Sequence, residues 1–251
     1  MQVDQQIQHA AGLIASARYI VAMTGAGIST PSGIPDFRSP DSGLWDQADP
    51  LEVASIFAFR HNPQRFYNWV RPLALLMLEA RPNPAHYALV TLEREGKLKA
   101  IITQNIDNLH GKAGSKTVYE LHGHLREVTC TRCFAVLDSA AAFAQFISDG
   151  QVPRHTCGGV LKPNVILFGE PLPMRELVLA QEVIKTADLV LVAGSSLEVA
   201  PASELPALAL EHSAKLIIVN YQPTYLDSRA AVVIHADVAD VLPRIVELVK
   251  V

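Results

Sequence analysis

The chain has 251 residues, 49% of them apolar and 18% charged, enough to bury a large core and too apolar for a disordered chain. Its 21 Lys and Arg against 25 Asp and Glu leave a net charge of -4, which argues against nucleic acid as a partner and leaves basic peptides open. Three cysteines exclude a disulfide scaffold and point to the cytoplasm. The first residues lack the basic start and apolar run of an export signal. The longest apolar stretches, residues 73–78 and 189–193, fall far short of the roughly 20 residues of a membrane span. They read as core, and no membrane partner is expected.

In chain order, a helical pattern over 5–16 leads into an apolar run at 19–23, then a glycine-rich loop. Residues 39–80 carry an aromatic cluster (Phe57, Phe59, Phe66, Tyr67, Trp69) in helix-prone sequence and read as a helical insertion. A helix over 84–95 and a strand over 100–103 follow. Residues 126–160 hold all the cysteines and few strand signals, and read as a small metal-stapled insertion. Then come a helix at 175–185, a strand at 189–193, a helix at 202–212, strands at 215–219 and 231–234, and a helix at 238–249. Continuous apolar runs are what strands covered on both faces require, and their alternation with helices implies a parallel sheet. The expected fold is α/β, a Rossmann-like doubly wound parallel sheet with a helical and a small zinc-binding insertion. Residues 1–38, 81–125 and 161–251 form the nucleotide-binding domain, 39–80 the helical insertion and 126–160 the metal module.

The first strand runs into Gly25-Ala26-Gly27-Ile28-Ser29-Thr30. A Gly-x-Gly at a strand-to-helix turn lets backbone N–H groups approach a pyrophosphate. Thr30 stands where the usual fingerprint has its third glycine, so a plain tight turn is the competing reading, and no Walker-type lysine follows. Polar groups also end the later strands: Gln104-Asn105-Ile106-Asp107, Gly194-Ser195, Asn220, and Asp237 before Val238. Each alone is a capped turn. Together, beyond the strand ends of a doubly wound sheet, they suit a ribose and an adenine.

Six segments in this order, Gly25-Ala26-Gly27-Ile28-Ser29-Thr30, Gly33-Ile34-Pro35-Asp36-Phe37-Arg38, Thr103-Gln104-Asn105-Ile106-Asp107, Glu120-Leu121-His122-Gly123, Phe168-Gly169-Glu170 and Gly194-Ser195-Ser196, resemble the motifs of the sirtuin family. The resemblance covers about residues 7–249. It implies NAD-dependent removal of acyl groups from lysine side chains, with NAD as a co-substrate, nicotinamide released and O-acetyl-ADP-ribose formed. By the same resemblance Gly25, Ala26, Gly27 and Thr30 line the phosphates, with Phe37 as a lid over the ribose and Arg38 facing phosphate. Asn105, Ile106 and Asp107 form the nicotinamide pocket, Asn105 serving catalysis. Gln104 and His122 flank the ribose hydroxyls, and Gly194, Ser195, Asn220, Asp237 and Val238 hold the rest of NAD. His122 becomes the general base, because a ribose hydroxyl must lose a proton before it attacks and imidazole titrates near the working pH. A buried histidine satisfied by backbone is the bland reading. Ile166, Phe168, Gly169 and Glu170 resemble the segment to which an acyl-lysine peptide adds as a strand. A monomer is expected.

Cys130 and Cys133 supply half of a structural zinc site, and here the sequence departs from the family. Where a second Cys-x-x-Cys is usual, it reads Arg154-His155-Thr156-Cys157, with Arg154 at the strict spacing. Zinc accepts three thiolates and an imidazole, so Cys130, Cys133, Cys157 and His155 are the expected ligands of one Zn2+ per chain. A three-ligand site with water, or a module without metal, stays open. Family members that remove acidic acyl groups carry Tyr-x-x-Arg, whereas Tyr67 is followed by Val70, and Arg71 lies about 100° further round a helix. Acetyl or longer apolar acyl groups are therefore expected over succinyl. Rivals are mono-ADP-ribosyl transfer on the same NAD site, a zinc-ribbon adaptor, and a dehydrogenase using Asp46 or Asp49 for the ribose.

Overall fold

The computed structural model describes residues 3–36, 43 and 49–249. Five apolar runs expected as strands pair in parallel, and a sixth short strand joins them. The strands are β1 (Ile20–Thr24), β2 (Leu98–Thr103), β3 (Val118–Glu120), β7 (Leu189–Ala193), β8 (Lys215–Val219) and β9 (Val232–Ile234). Their order is β3-β2-β1-β7-β8-β9, so the winding reverses between β1 and β7. Ala22 of β1 sits between Ile101 of β2 and Leu191 of β7, and both central strands are wholly buried. Crevices for ligands open at such a reversal, beyond the carboxyl ends of the strands.

Both faces are covered, which is why the strands need apolar residues at successive positions. One face packs on α1 (Val3–Ser16), α5 (Pro84–Arg94) and α10 (Val238–Val249). In α1 the buried residues are Ile7, Ala10, Ala11 and Ile14, the spacing of one helical stripe. The other face packs on α8 (Met174–Thr186) and α9 (Leu205–Glu211). No helix among the described residues is long and apolar enough to cross a membrane.

Residues 50–79 are helical: α2 (Pro50–Val53), α3 (Ile56–His61) and α4 (Pro63–Glu79). Asn62 caps α4 by accepting from the Arg65 N–H at 3.3 Å. A second sheet, β5-β4-β6, is antiparallel and consists of β4 (Gly123–Cys130), β5 (Val136–Asp138) and β6 (Leu161–Val165). Between β5 and β6 runs α7 (Ser139–Asp149), capped by Asp138. The sequence reading found neither β3 nor these strands. Those of three residues leave no periodicity to read, and β5 is fully exposed. The two insertions share one core, where Phe59, Phe66 and Tyr67 meet Phe143 and Phe146. The Tyr67 ring lies tilted against Phe146, 5.0 Å between centroids, and its hydroxyl donates to the Leu161 carbonyl at 2.6 Å, tying α4 to β6. That burial pushes its phenol well above the usual range.

Two histidines lie buried beside the parallel sheet: His86 on α5, and His110 on α6 (Leu109–Ala113). Burial lowers His86 to about 4; burial, with repulsion from His86, lowers His110 to about 3. Both stay neutral in the fold, whereas in the unfolded chain each takes up a proton as pH falls through about 6.5. The unfolded chain then binds more protons, so stability is complete above pH about 6.5 and declines as pH falls toward the folded values. Thermal midpoints measured from pH about 7.5 to about 4.5 should fall, and less steeply in a His86→Gln/His110→Gln double variant. Equal slopes would refute the burial argument.

Candidate active site

The glycines after β1 pack against the turn after β7. Gly27 donates to the Gly194 carbonyl at 2.9 Å, while the N–H groups of Ile28 and Ser29 go to the carbonyls of Gly25 and Ala26. A Cβ on Gly194 (φ 61) would sit 2.2 Å from the Ile28 nitrogen, so no other residue fits there. The segment forms two 3-10 turns, Ala26–Ile28 and Thr30–Ser32, in place of the expected helix start. Several N–H groups expected to face a pyrophosphate are thus engaged within the protein, and the glycines serve the close approach of two loops.

Below this contact a polar cluster is buried. Ser29 donates to Asp107 Oδ2 at 2.7 Å and accepts from Asn105 Nδ2 at 3.1 Å, and the same amide reaches the Gly25 carbonyl at 3.0 Å. What Asn105 can offer a ligand is therefore its Oδ1 acceptor. Asp107 Oδ1 accepts from the Leu109 N–H, at the start of α6, at 2.8 Å. Burial raises its carboxyl above the usual range, although Leu109, Ser29 and the Lys112 charge pull the other way. Ser29 was not among the residues expected to act, though it stands in the quoted motif; its central place comes from side-chain contacts across 78 positions of sequence.

Gln104 bridges β2 and β7 by donating to Ser195 Oγ at 3.1 Å. Its carbonyl lies 3.0 Å from His122 Nδ1. A carbonyl only accepts, so Nδ1 carries the proton and Nε2 the lone pair. Gly123 follows with φ 72, where a Cβ would lie 2.0 Å from the Asn164 carbonyl; this glycine lets β4 cross β6 directly beside His122.

A cavity of about 520 Å³ unites Ala26, Gln104, Asn105, Ile106, Asp107 and His122 with Ile166, Phe168, Gly169 and Glu170. Gly25, Gly27, Thr30, Gly194, Ser195, Asn220, Asp237 and Val238 do not line it, but follow the carboxyl ends of β1, β7, β8 and β9 on the same sheet edge. Asn220 is buried, and Asp237 caps α10 through the Ala239 N–H at 2.7 Å. Phe37, Arg38 and Asp46 lie outside the described residues. Asp49 caps α2 through the Leu51 N–H at 2.8 Å, so it is a helix cap and not the end of a second strand. Ile34, Trp69, Val70, Leu73 and Met77 form an apolar wall; of these the sequence reading had weighed Val70, as the residue in place of an arginine at the acyl pocket. Arg71 points away, donating to the Ile147 carbonyl at 2.9 Å.

The expected peptide-pairing segment is partly committed already. Ile166 donates to the His122 carbonyl at 2.9 Å, and Phe168 exchanges bonds with Ala54 and Ile56 at 2.9 and 3.0 Å. Glu170 accepts from the Leu167 N–H and pairs with Lys162, both at 2.9 Å. The Glu170 N–H also donates, to the Leu167 carbonyl at 2.9 Å.

In the small module the donor atoms of Cys130, Cys133, His155 and Cys157 lie within 4.8 Å of one another. Cys130 Sγ is 3.5 Å from Cys157 Sγ, and Cys133 Sγ is 3.3 Å from His155 Nδ1. Zinc bound tetrahedrally at about 2.3 Å holds its donors roughly 3.5–4 Å apart, so the group fits a structural zinc site. Arg154 instead donates to the Gly158 carbonyl at 3.1 Å.

A family model described as the Sir2 family matches residues 25–201. The NAD-dependent protein deacylase 2 of Archaeoglobus fulgidus is 47% identical over 99% of this chain and 98% of its own. A Sir2 structure holding a deacetylated p53 peptide and 3′-O-acetyl-ADP-ribose is similar with a TM-score of 0.91 at 39% identity, covering 98% of each chain. Sir2Af2 bound to a myristoylated histone peptide matches with a TM-score of 0.82 at 42% identity, over 98% of this chain and 97% of that one.

Purified protein should carry about one zinc per chain, which Cys157→Ala loses and His155→Cys retains, as read by elemental analysis. Zinc retained at full content by His155→Ala would remove the histidine from the ligand set.

Proposed function

The chain belongs to the Sir2 family, and we propose on that premise how its residues carry the family's reaction. It is an NAD-dependent protein deacylase, which passes the acyl group of a modified lysine to ADP-ribose and releases nicotinamide. NAD supplies an electrophilic ribose carbon once nicotinamide departs; the groups that bind, orient and deprotonate belong to this chain.

The observation that carries the residue roles is the Gln104 carbonyl on His122 Nδ1, which makes Nε2 the basic nitrogen of a cavity-lining imidazole. His122 accepts the ribose hydroxyl proton at Nε2. Asp107 takes hydrogen bonds from the carboxamide of nicotinamide and Asn105 offers Oδ1, with Ile106 closing that pocket. This assignment is supported by the Ser29 hydrogen bonds that fix both side chains. Gln104 flanks the ribose hydroxyls. Gly25, Ala26, Gly27 and Thr30 line the phosphates, with Phe37 as lid and Arg38 facing phosphate. Gly194, Ser195, Asn220, Asp237 and Val238 hold the adenosine end. Gly169 and Glu170 pair with the substrate backbone, with Ile166 and Phe168 beside them. The zinc held by Cys130, Cys133, Cys157 and His155 ties two loops together, and four protein ligands leave no open catalytic position.

The proposed domain division is 1–38, 81–125 and 161–251 for NAD, 39–80 as the helical insertion and 126–160 for the metal, with β4 and β6 of the second sheet reaching across its boundaries. Clustered cysteine thiols support a reducing compartment, the cytoplasm. Transfer of ADP-ribose to a protein is the disfavoured rival, since the structural relatives hold acylated or deacetylated peptides.

The apolar wall of Ile34, Trp69, Val70, Leu73 and Met77 supports acetyl and longer apolar acyl groups over succinyl. Incubation with NAD and a panel of acyl-lysine peptides should yield nicotinamide and O-acyl-ADP-ribose, fastest with the apolar acyl groups. NADH, or label on a protein side chain, counts against deacylation. His122→Ala should lose essentially all turnover with an unchanged thermal midpoint, and near-normal rates would refute the base assignment. Val70→Arg should slow a long apolar acyl peptide by about tenfold or more, through the cost of a buried charge.

A further inference from the structure

The hydrogen bonds beneath the cavity have a polarity that their fixed ends reveal. The Asn83 N–H can only donate, and it reaches His86 Nδ1 at 3.4 Å in the capping box of α5. His86 Nδ1 therefore holds the lone pair and Nε2 the proton. The Asn83 side chain meanwhile donates to the Ile28 carbonyl at 2.8 Å and to Ser32 Oγ at 2.9 Å, gripping the turns that follow the glycine loop. At the other end the Asn105 N–H donates to Thr103 Oγ1 at 3.1 Å, and the Thr24 hydroxyl donates to the same oxygen at 2.9 Å. With its only proton given to Thr103, Thr24 accepts from His110 Nε2 at 2.9 Å. His110 Nδ1 is then a lone pair.

The two imidazoles are 0% and 2% exposed, with centroids 4.9 Å apart and planes at 55°. His86 Nε2 and His110 Nδ1 have no hydrogen-bond partner among the described residues. One is a buried donor and the other a buried acceptor, and leaving both unmade is costly. A small molecule that accepts on one side and donates on the other matches the pair, and water does both.

We propose that one water molecule bridges His86 Nε2 to His110 Nδ1, closing a relay from Asn83 to Thr103 that makes both histidines positioning residues for NAD binding. The inference rests on the reading that the glycine loop and Asn105 hold NAD. These segments follow different strands, β1 and β2, and the relay joins them through the interior. Every donor in it points the same way, so reversing one tautomer breaks two links. Two histidines that merely fill the core would stabilise the fold without acting on NAD in particular.

Long-range proton–nitrogen NMR spectra of the histidines judge the relay without any assay of activity. Both rings should be neutral with the proton on Nε2; a proton on Nδ1 of either ring overturns the proposal. In kinetics below the thermal midpoint, His110→Phe should raise the KM for NAD about tenfold, the effect of a lost buried hydrogen bond, and the peptide KM less than about twofold. Should that variant not fold, Thr24→Val breaks the relay one link further on with its shape kept, and the same split is expected. His86→Gln, which keeps a capping acceptor and an N–H donor, should recover part of the NAD affinity that His86→Phe loses. An unchanged KM for NAD, or NAD and peptide constants rising together, overturns the positioning role. Absent turnover by the unmodified enzyme would overturn the deacylase reading and leave the spectra to decide the relay.

Discussion

The structure turns on the contact between the loops that leave β1 and β7, at the point where the sheet reverses its winding. Gly27 reaches the Gly194 carbonyl, and Gly194 lies so near Ile28 that a side chain on it would collide with backbone. This closeness fixes where Ser29 stands, and Ser29 in turn orders Asn105 and Asp107. A general feature of doubly wound folds, the crevice at the switch point, is here converted into a particular polar floor. Loosening the glycine contact would displace the floor before it touched any residue that handles substrate.

The opposite wall depends on a different force. Phe59, Phe66 and Tyr67 pack with Phe143 and Phe146, so two stretches of sequence far apart form one apolar body. The inner face of α4, through Val70, Leu73 and Met77, is held against the cavity by that packing. The aromatic core therefore holds α4 in place by burial. The expected zinc ligands lie at the end of β4, in the turn after it and in the turn before β6.

The sheet was legible because strands covered on both faces must be apolar at every position, and runs such as Leu189–Ala193 meet that demand without ambiguity. The half-exposed strands of the second sheet carry no such demand. β4 mixes Arg126, Glu127 and Thr129 with Val128, and β5 buries nothing. At the site, the residues proposed to approach a ligand stand in the quoted motifs, whereas most of those that hold them in place do not. Ser29, His86, His110 and Thr24 act through contacts between segments distant in sequence, and local pattern holds no trace of such pairing. The glycine loop shows the reverse case: its glycines were legible, but the sterics they relieve are those of Gly194 and not of a phosphate alone.

In the proposed role of base, His122 would need little machinery once its tautomer is fixed. In many sites a carboxylate orients the imidazole, which also raises its basicity. Here a backbone carbonyl, Gln104, does the orienting, and it cannot take up a proton or carry charge. The ring's direction then depends on the main chain where β2 ends, anchored by the Gln104 N–H on the Thr24 carbonyl at 3.0 Å and by the Gln104 amide on Ser195. The same few residues therefore set the base and the pocket floor, since Asn105 and Asp107 follow directly in the chain. The one buried carboxyl described in this stretch is that of Asp107, which Ser29 and the Leu109 N–H hold by hydrogen bonds.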